Sequence, residues 1–490
     1  MRVKAVICVG CLMISVTLCI LSCKRWPMER KNWMISPLQF GLNEAKTGID
    51  RYYVLQRTHN EADRLGVGVS YSGVKELFLE IPKDAESLPL TNYTDFAGVS
   101  FKVENTQKDF FLFSMSNKMN SVNVNGREID DQDFTMNSIM KSGEKLLVIK
   151  DKTLWVDNRI GYNYGVTRKD IMLVKNGRGG NASVHGYCTP ASCPECYYCE
   201  VGSFPKIVKN IVFQRTSNST KKTYLIKVEN QYNVELSNVD ITTPDGSVLY
   251  GDKVIYMLNC VDVTLDHVSI NGTYSLPQRF GYGVSLDNIY NLHVDTMFAR
   301  AHWGVFGNNN VQKVLLKNCD INRFDIHCYG KDVRFENCNF VDQYNQFSSV
   351  YGELYFKNCT FTNFSPILME YTYNAYTGFD VVFESCTFNL DKNHNCIVCL
   401  PNFSKMENSR PELSKKCLPN VTMQDCQVNA TNGLKKWCVY SIRNADGYEG
   451  GFYHISKVIL KRLSTNVEPT GMTVFNKNVN AINEVRVIIE

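Results

Sequence analysis

The sequence predicts a nearly all-β fold in which short strands are wound into a long solenoid. A short pattern of alternating apolar and polar residues recurs nine times between residues 233 and 465. The closest copies begin at Lys313 and Asp332, which are 19 residues apart. A repeat of this length, separated by loops of variable length, indicates strands stacked coil upon coil. After one stretch near the N terminus, no spacing of apolar residues typical of a helix is sustained.

The first 23 residues are predicted to be an export signal. Arg2 and Lys4 precede an apolar run at residues 5–21, which is too short to be part of the main fold. The residues before Cys23 resemble a bacterial lipoprotein box, which implies a lipid on Cys23 and a location in the cell envelope. An ordinary cleaved signal is the alternative. No later apolar run is long enough to span a bilayer.

Residues 24–70 are predicted to form a tether and a capping helix. Asp50 can cap a helix that ends at Leu65, and a solenoid needs such a cover over its open end. Residues 71–490 are predicted to form the solenoid itself, with a cysteine-rich loop at residues 182–204. The repeat is therefore expected to be a single domain.

The alternation within the repeat predicts which side chains fill the interior. One inward column runs from Val234 to Val458, and the next runs from Leu236 to Leu460. A third column contains five cysteines, Cys319, Cys338, Cys359, Cys386 and Cys426. Because stacked side chains on parallel strands point the same way, we expect these cysteines to be reduced packing residues.

Asparagine ends the strand that precedes the repeat in four coils, at Asn230, Asn259, Asn288 and Asn310. Asparagine tolerates a left-handed backbone and hydrogen-bonds within its own turn. We therefore expect these side chains to stack and to bond one coil to the next.

His185 and four cysteines of the loop have a spacing that fits either a zinc site or local disulfides; the cysteines are Cys188, Cys193, Cys196 and Cys199. In an exported protein, two local disulfides are favoured over a metal.

The repeat resembles that of the right-handed parallel β-helices of the pectin-lyase-like superfamily, over roughly residues 75–490. Together with the signal, it resembles the polysaccharide lyase lipoproteins of Bacteroides-type bacteria. In polygalacturonase-like hydrolases of this superfamily, the successive strands that precede the repeats begin with Asn-Thr-Asp, Asp-Asp and His-Gly motifs, of which the first two supply carboxylates. This chain has Gly281-Tyr282, His302-Trp303 and Phe324-Asp325 there. The departure disfavours a hydrolase, which needs two carboxyl groups across the bond.

Basic and aromatic side chains stand where those hydrolases have carboxylates, and they suit β-elimination on a uronic acid. A cation neutralises the sugar carboxylate, a base removes the neighbouring proton, and an acid protonates the departing oxygen. The predicted catalytic residues are His302, Arg323, His327 and Tyr329. The predicted substrate-binding residues are Arg279, Tyr282, Arg300, Asp325 and Lys331. Alternation from inward Ile326 and Cys328 predicts that Asp325, His327 and Tyr329 face outward.

The expected function is a polysaccharide lyase for a uronic-acid polymer, such as chondroitin or dermatan sulfate or pectin. No cofactor is expected: many β-helix lyases use Ca²⁺, but these strands carry no acidic cluster to hold one. The net charge of +4 and the lack of a long basic run exclude nucleic acid as a partner. The expected partners are the anionic polysaccharide and, through the lipid, the membrane, and the protein is expected to be a monomer.

Two alternatives stay open. A glycoside hydrolase on the same scaffold would use Asp287, Asp325 or Glu370. A surface glycan-binding protein without catalysis would use the same face of the solenoid.

Overall fold

The structure is a computed structural model that describes most of the chain from residue 33 onward. The described residues are 33–156, 166–179, 195–202, 204–216, 219–242, 253–271, 282–300, 304–341, 343–347, 349–362, 364–369, 376–400, 416–442, 453–455, 457–467, 471–475 and 486–489. The predicted export signal with Cys23 lies outside them, and so do Arg279, His302 and Glu370.

The predicted N-terminal helix is confirmed as α1, Gly48–Leu65, and its buried face packs on the first strands of the solenoid. Its N-cap is Thr47 rather than Asp50. The Thr47 hydroxyl accepts from the Asp50 backbone N–H, and the Asp50 carboxylate accepts from the Thr47 N–H, both at 3.0 Å. This reciprocal pair is a capping box, which satisfies two otherwise unpaired donors. Among the described residues, no helix is long and apolar enough to cross a membrane.

The remaining N-terminal elements are two 3₁₀ turns, Pro37–Phe40 and Leu42–Glu44, and a short helix α2, Gly126–Asp131. The first coils contain β1 Met34–Ile35, β2 Gly68–Ser70, β3 Glu76–Glu80, β4 Leu88–Pro89, β5 Tyr93–Glu104 and β6 Phe110–Ser116. An antiparallel sheet then follows with β7 Asn120–Val122, β8 Glu144–Val156, β9 Val166–Lys175, β10 Arg178–Gly179 and β11 Glu195–Glu200.

The rest of the described chain is solenoid. Its strands are β12 Lys206–Arg215, β13 Thr223–Thr242, β14 Ile255–Ile270, β15 Tyr282–Ala299, β16 Gly304–Lys317, β17 Asp320–Ile321, β18 Phe324–Glu336, β19 Asn339–Val341, β20 Asn345–Phe347, β21 Ser349–Lys357, β22 Thr360–Thr362, β23 Ile367–Met369, β24 Tyr376–Glu384, β25 Thr387–Leu390, β26 Cys396–Leu400, β27 Lys416–Leu418, β28 Asn420–Gln424, β29 Gln427–Ala430, β30 Trp437–Ile442, β31 Tyr453–Ile455, β32 Lys457–Lys461, β33 Ser464–Thr465, β34 Met472–Phe475 and β35 Arg486–Ile489. All pairs between these coils are parallel, as an all-β parallel helix requires.

Each coil has three strand segments, and residues with a left-handed backbone separate them. In β15 the segments are 282–287, 292–295 and 297–299. They are separated at Asn288, Asn291 and Thr296, whose φ angles are 60°, 60° and 51°. We call them the first, second and third strands of a coil. Because these turns are so short, the coils of β13, β14, β15 and β16 stack on one another in register.

The two apolar columns predicted from the repeat are confirmed. Along the second strands, equivalent residues pair coil by coil and are buried: Val234, Val263, Leu292, Val314, Val333, Leu354, Val381, Val421 and Val458, and in parallel Leu236, Leu265, Val294, Leu316, Phe335, Phe356, Phe383, Met423 and Leu460. Phe335, Phe356 and Phe383 stack with ring centres 4.8 and 5.0 Å apart. Burial of each such side chain contributes roughly 1.5–3 kcal/mol, so these columns are the main source of stability.

The predicted asparagine ladder is also confirmed. The Asn259 amide donates to the Asn230 side-chain oxygen at 2.8 Å, Asn288 donates to Asn259 at 2.8 Å, and Asn310 donates to Asn288 at 2.6 Å. All four residues have a left-handed backbone. The ladder therefore ties the turns of successive coils together while satisfying buried amides.

The antiparallel sheet was not anticipated by the sequence analysis. The chain leaves the solenoid after β6 and re-enters at β12, because β5 pairs with β12 and β6 pairs with β13. Residues 145–150, which resemble a solenoid strand, lie in β8 of this inserted sheet. The sheet docks on the asparagine ladder, where the Asn310 amide donates to the Lys169 carbonyl at 2.8 Å and Gln312 donates to the Asp170 carboxylate at 3.1 Å.

Part of the predicted cysteine-rich loop is regular structure, because residues 195–200 form β11. Cys196 and Cys199 are buried on opposite faces of this strand: Cys196 packs with Val122, whereas Cys199 packs with Val261 of the solenoid. These two thiols therefore do not point at one common metal ion. His185, Cys188 and Cys193 lie outside the described residues, so the choice between disulfides and metal stays a prediction for them.

The stacked cysteine column is confirmed as reduced and buried: Cys319, Cys338, Cys359, Cys386 and Cys426 are each at most 2% exposed and form no disulfide. Burial raises the pKa of the Cys359 thiol well above its ordinary value, and hydrogen bonds with neighbouring thiols add to the rise. We predict that a maleimide will not label this column in the native protein, since only an exposed thiolate reacts.

Peptide mass spectrometry after labelling with and without denaturant tests this prediction. The five cysteines should be modified only when denaturant is present. Labelling of Cys338 or Cys359 in the native protein would contradict the inward assignment of the column.

Candidate functional site

The beginnings of the first strands on consecutive coils bring together four of the predicted site residues. Tyr282 begins β15, while Arg323, Asp325 and His327 lie at the beginning of β18. β16 runs between these two strands and pairs with both. Tyr282 must therefore reach across one whole coil to contact the other three residues.

Two glycines of β16 make this crossing possible. A Cβ atom placed on Gly307 would lie 2.4 Å from the Tyr282 ring, and one on Gly304 would lie 2.8 Å from it. Both distances are shorter than van der Waals contact, so the ring rests directly on the β16 backbone. The phenol then reaches β18, where its oxygen lies 2.9 Å from Asp325 Oδ2 and 2.7 Å from His327 Nε2.

Asp325 is the fully buried centre of the cluster. Arg323 Nε donates to its Oδ1 at 2.6 Å, and the Gln346 backbone N–H donates to the same oxygen at 3.1 Å. Burial raises the pKa of Asp325 above its ordinary value, while the Arg323 guanidinium acts in the opposite direction. The carboxylate oxygens are thus held in place by a cation, an amide and the Tyr282 phenol.

Arg323 is itself held by side chains of the next coil. Its guanidinium donates to Gln346 Oε1 and, at 3.4 Å, to Gln343 Oε1, and it lies 5.7 Å from the centre of the Tyr344 ring. Its side chain is only 4% exposed. Arg323 therefore orients Asp325 from inside the protein instead of facing a ligand.

His327 occupies a β-bulge. Asn308 pairs with Ile326 and Asn309 pairs with Cys328, so His327 is an extra residue in β18. A bulge changes the direction of a side chain relative to the regular alternation, and bulges occur next to active sites. The His327 side chain keeps 15% exposure, and Tyr282 is also only half-buried. Tyr282 and His327 are the members of the cluster that solvent reaches.

Two residues of this strand do not face outward as the alternation predicted. Tyr329 was expected to face outward, but it is 4% exposed and has a left-handed backbone with φ 59°. It occupies the turn position that Asn310 has one coil earlier, so the alternation does not apply to it. Asp325 was also expected to face outward, but it is fully buried because Arg323 and Gln346 enclose it.

Two predicted binding residues lie elsewhere. Lys331 is half-buried in the turn after Tyr329 and pairs with Gln312. Arg300 makes a two-pronged ion pair with Asp320, both contacts at 2.6 Å, on the third-strand side of the solenoid.

Of the carboxylates of the hydrolase alternative, Asp287 and Asp325 are not placed as a pair around one sugar, and Glu370 lies outside the described residues. Asp287 forms an ion pair with Lys169 of the inserted sheet. It pairs with Asn309, whereas Asp325 pairs with Gly307, so the two acids are two coils apart and displaced along the strands. In the part of the chain that the structure describes, no group of three or more His, Cys, Asp or Glu side chains is placed to hold a metal ion. The expectation that no cofactor is needed stays a prediction.

Sequence reasoning missed Gly304, Gly307 and Gln346. The two glycines occur in the strand that follows Tyr282 by one coil, where a large residue would normally pack. A pair of glycines beside an aromatic residue of the neighbouring strand is the signal that could have identified the crossing.

Comparison with known proteins supports the fold. No protein-family model and no curated protein matches the sequence. The tailspike protein gp49 from Pseudomonas phage LKA1 has a similar structure, with a TM-score of 0.58 and 13% identity over 93% of this chain and 78% of that chain. The Gp54 tailspike of Acinetobacter baumannii bacteriophage AP22, solved in complex with an A. baumannii capsular saccharide, has a TM-score of 0.52 and 12% identity over 93% of this chain and 79% of that chain. The right-handed parallel β-helix is thereby confirmed, whereas the resemblance to Bacteroides-type lipoproteins is not shown by these structures.

We predict that Gly307→Ala will displace the Tyr282 ring from Asp325 and His327, because the new methyl group needs the space that the ring occupies. A crystal structure of the variant should show both phenol hydrogen bonds broken. Gly202→Ala is the matched control, since a Cβ at Gly202 meets no atom within 4 Å. An unchanged Tyr282 in Gly307→Ala would contradict the role assigned to the glycine.

Proposed function

We propose that the chain cleaves an acidic polysaccharide by β-elimination beside a uronic acid, at the pair formed by Tyr282 and His327. The observation that carries the proposal is the contact of one phenol oxygen with both the buried Asp325 carboxylate and the half-exposed His327 imidazole. The complex of a structurally similar tailspike with a capsular saccharide supports a polysaccharide as the ligand of this scaffold.

The pair can supply both proton transfers of an elimination. His327 Nε2 takes the proton from the carbon next to the sugar carboxylate, and a C=C bond forms as the bond to the glycosidic oxygen breaks. Tyr282 gives its proton to the departing oxygen. In the resting site the phenol donates its one proton to Asp325, and His327 Nε2 is unprotonated and can act as the base. After both transfers, the Nε2–H of His327 faces the phenolate oxygen 2.7 Å away and returns its proton to it, which restores both groups. No water is consumed, so no second carboxylate is needed to activate one.

Asp325 and Arg323 are positioning residues in this proposal. The fixed carboxylate accepts from the phenol and so holds Tyr282 across β16 in one orientation. Arg323 cannot also pair with a sugar carboxylate, because its guanidinium is buried against Asp325 and Gln346. We assign the neutralisation of the sugar carboxylate to Arg279, which precedes Tyr282 by three residues in the chain, while His302, two residues before Gly304, stays a predicted catalytic residue.

Glycoside hydrolysis has less support, because Asp325 is inaccessible and Asp287 is paired with Lys169. We retain as further proposals a glycosaminoglycan or pectin as the polymer, a monomeric protein, and attachment to the cell envelope through a lipid on Cys23.

We predict that the protein releases products with the absorbance of an unsaturated uronic acid from at least one of chondroitin sulfate, dermatan sulfate and polygalacturonate. Tyr282→Phe should lower turnover at least about 10²-fold, because it removes the acid and leaves the ring in place. Tyr290→Phe is the matched control, since it removes a hydroxyl from the same strand and should keep wild-type turnover. Both variants should unfold in one cooperative transition, and Tyr282→Phe should melt at a somewhat lower temperature, because the buried Asp325 carboxylate loses a hydrogen bond.

Other outcomes would replace the proposal. New reducing ends without the absorbance would indicate a hydrolase, and binding of the polymers without any product would indicate a glycan-binding protein. Wild-type turnover in Tyr282→Phe and in His327→Ala would place the reaction at another site.

A further inference from the structure

A cavity runs along the outside of the solenoid, where the turn after each first strand meets the second strand. Its volume is about 580 Å³, which lies within the range of ligand-binding clefts. We call it the axial groove and define it by Asp262, Asn291, His293, Lys313, Asp332 and Arg334. It shares no residue with the Tyr282 cluster. On β18, the groove residues lie seven positions or more beyond Asp325.

The axial groove is long and narrow because it follows the stacking direction. Its lining comes from six successive coils, from Asn233 on β13 to Glu353 on β21. Five strand spacings of about 4.8 Å give a length of roughly 24 Å. This shape fits an extended chain better than a compact metabolite.

The lining combines polar side chains with apolar surface and repeats from coil to coil. Asp262, Asn291, Lys313 and Asp332 occupy equivalent left-handed turn positions and form one edge. Thr264, His293, Leu315 and Arg334 pair with one another as successive outward residues and form the floor. Hydrogen-bonding groups beside apolar surface, as at Leu315, suit the hydroxyls and the C–H face of a sugar ring.

One floor atom lacks a partner. His293 Nε2 is buried but makes no hydrogen bond with any residue that the structure describes. Buried polar atoms are normally paired, and this nitrogen is placed to bond a hydroxyl of a ligand in the groove. Two cations also line the axial groove. Lys313 makes no ion pair within the described residues and lies 6.0 Å from the centre of the Tyr290 ring. Arg334 donates through Nε to Glu336 at 2.6 Å and lies 4.3 Å from the centre of the Tyr355 ring, which leaves its terminal nitrogens for a ligand.

We propose that the axial groove binds an extended stretch of an acidic polysaccharide and holds the polymer to the solenoid outside the reaction site. Lys313 and Arg334 pair with acidic groups of the chain, while Asp262, Asp332 and the His293 imidazole bond its hydroxyls. The two cations lie on adjacent coils, whereas the carboxylates of Asp262, Asp332 and Glu353 also line the groove, so the acidic groups of the polymer are held at Lys313 and Arg334 alone. The groove proposal takes the kind of polymer from the proposed function and rests on it in no other respect.

Affinity electrophoresis tests the groove without catalysis. The Tyr282→Phe protein is run in gels that contain chondroitin sulfate, dermatan sulfate or polygalacturonate, with and without His293→Ala and Lys313→Ala together. The double change should weaken the affinity about tenfold or more, since it removes a charged contact and a hydrogen bond. Lys317→Ala is the matched control, because it removes a cation from the same strand outside the axial groove.

Turnover separates this proposal from the proposed function. With Tyr282 intact, the double groove variant should lose activity on long polymer and keep wild-type activity on a tetrasaccharide. His293→Gln, which keeps the size of the side chain, should show a smaller loss of the same kind. If the polymer retards the protein only when the groove residues are intact, and no variant cleaves the polymer, the groove proposal is supported and the proposed function is contradicted.

Two results would overturn the groove proposal. One is wild-type affinity and wild-type activity on long polymer in the double groove variant. The other is the absence of retardation of the parent protein in all three gels.

Discussion

The constant register between coils is the constraint on which the structure depends. Each coil turns at residues with a left-handed backbone, and the asparagine amides of those turns bond directly to one another, as between Asn288 and Asn259. Because every coil closes at the same place, apolar side chains such as Leu292 and Val314 stack without offset. The core columns, the stacked cysteines and the long axial groove are all consequences of this register.

The candidate reaction site lies where the register is interrupted. The asparagine ladder ends at Asn310, and the next coil has Tyr329 at that turn. Immediately before it, the bulge at His327 adds one residue to β18. The inserted sheet docks on the same end of the ladder through Lys169 and Asp170. A regular solenoid surface would offer only repeated side chains, whereas this interruption brings a phenol, an imidazole and a buried carboxylate into contact.

The interior could be predicted from the sequence because alternation and stacking are local rules. Val234 and its equivalents, the cysteine column and the ladder asparagines all follow from them. The inserted sheet could not, since residues 145–150 alternate as well in an antiparallel strand as in a coil. The bulge at His327 leaves no pattern in the sequence, and the alternation gave the wrong direction for Tyr329 because that residue occupies the turn position that asparagine has in the preceding coils. The burial of Asp325 depends on Gln346, which comes from another coil.

A crystal structure of the Tyr282→Phe protein with an acidic oligosaccharide tests the central claim most directly. The account predicts a uronic acid ring whose carbon next to the carboxylate lies within reach of His327 Nε2, with the glycosidic oxygen over the ring at position 282. A saccharide bound at other coils, with none in contact with His327, would contradict the assignment of Tyr282 and His327 as the reacting pair.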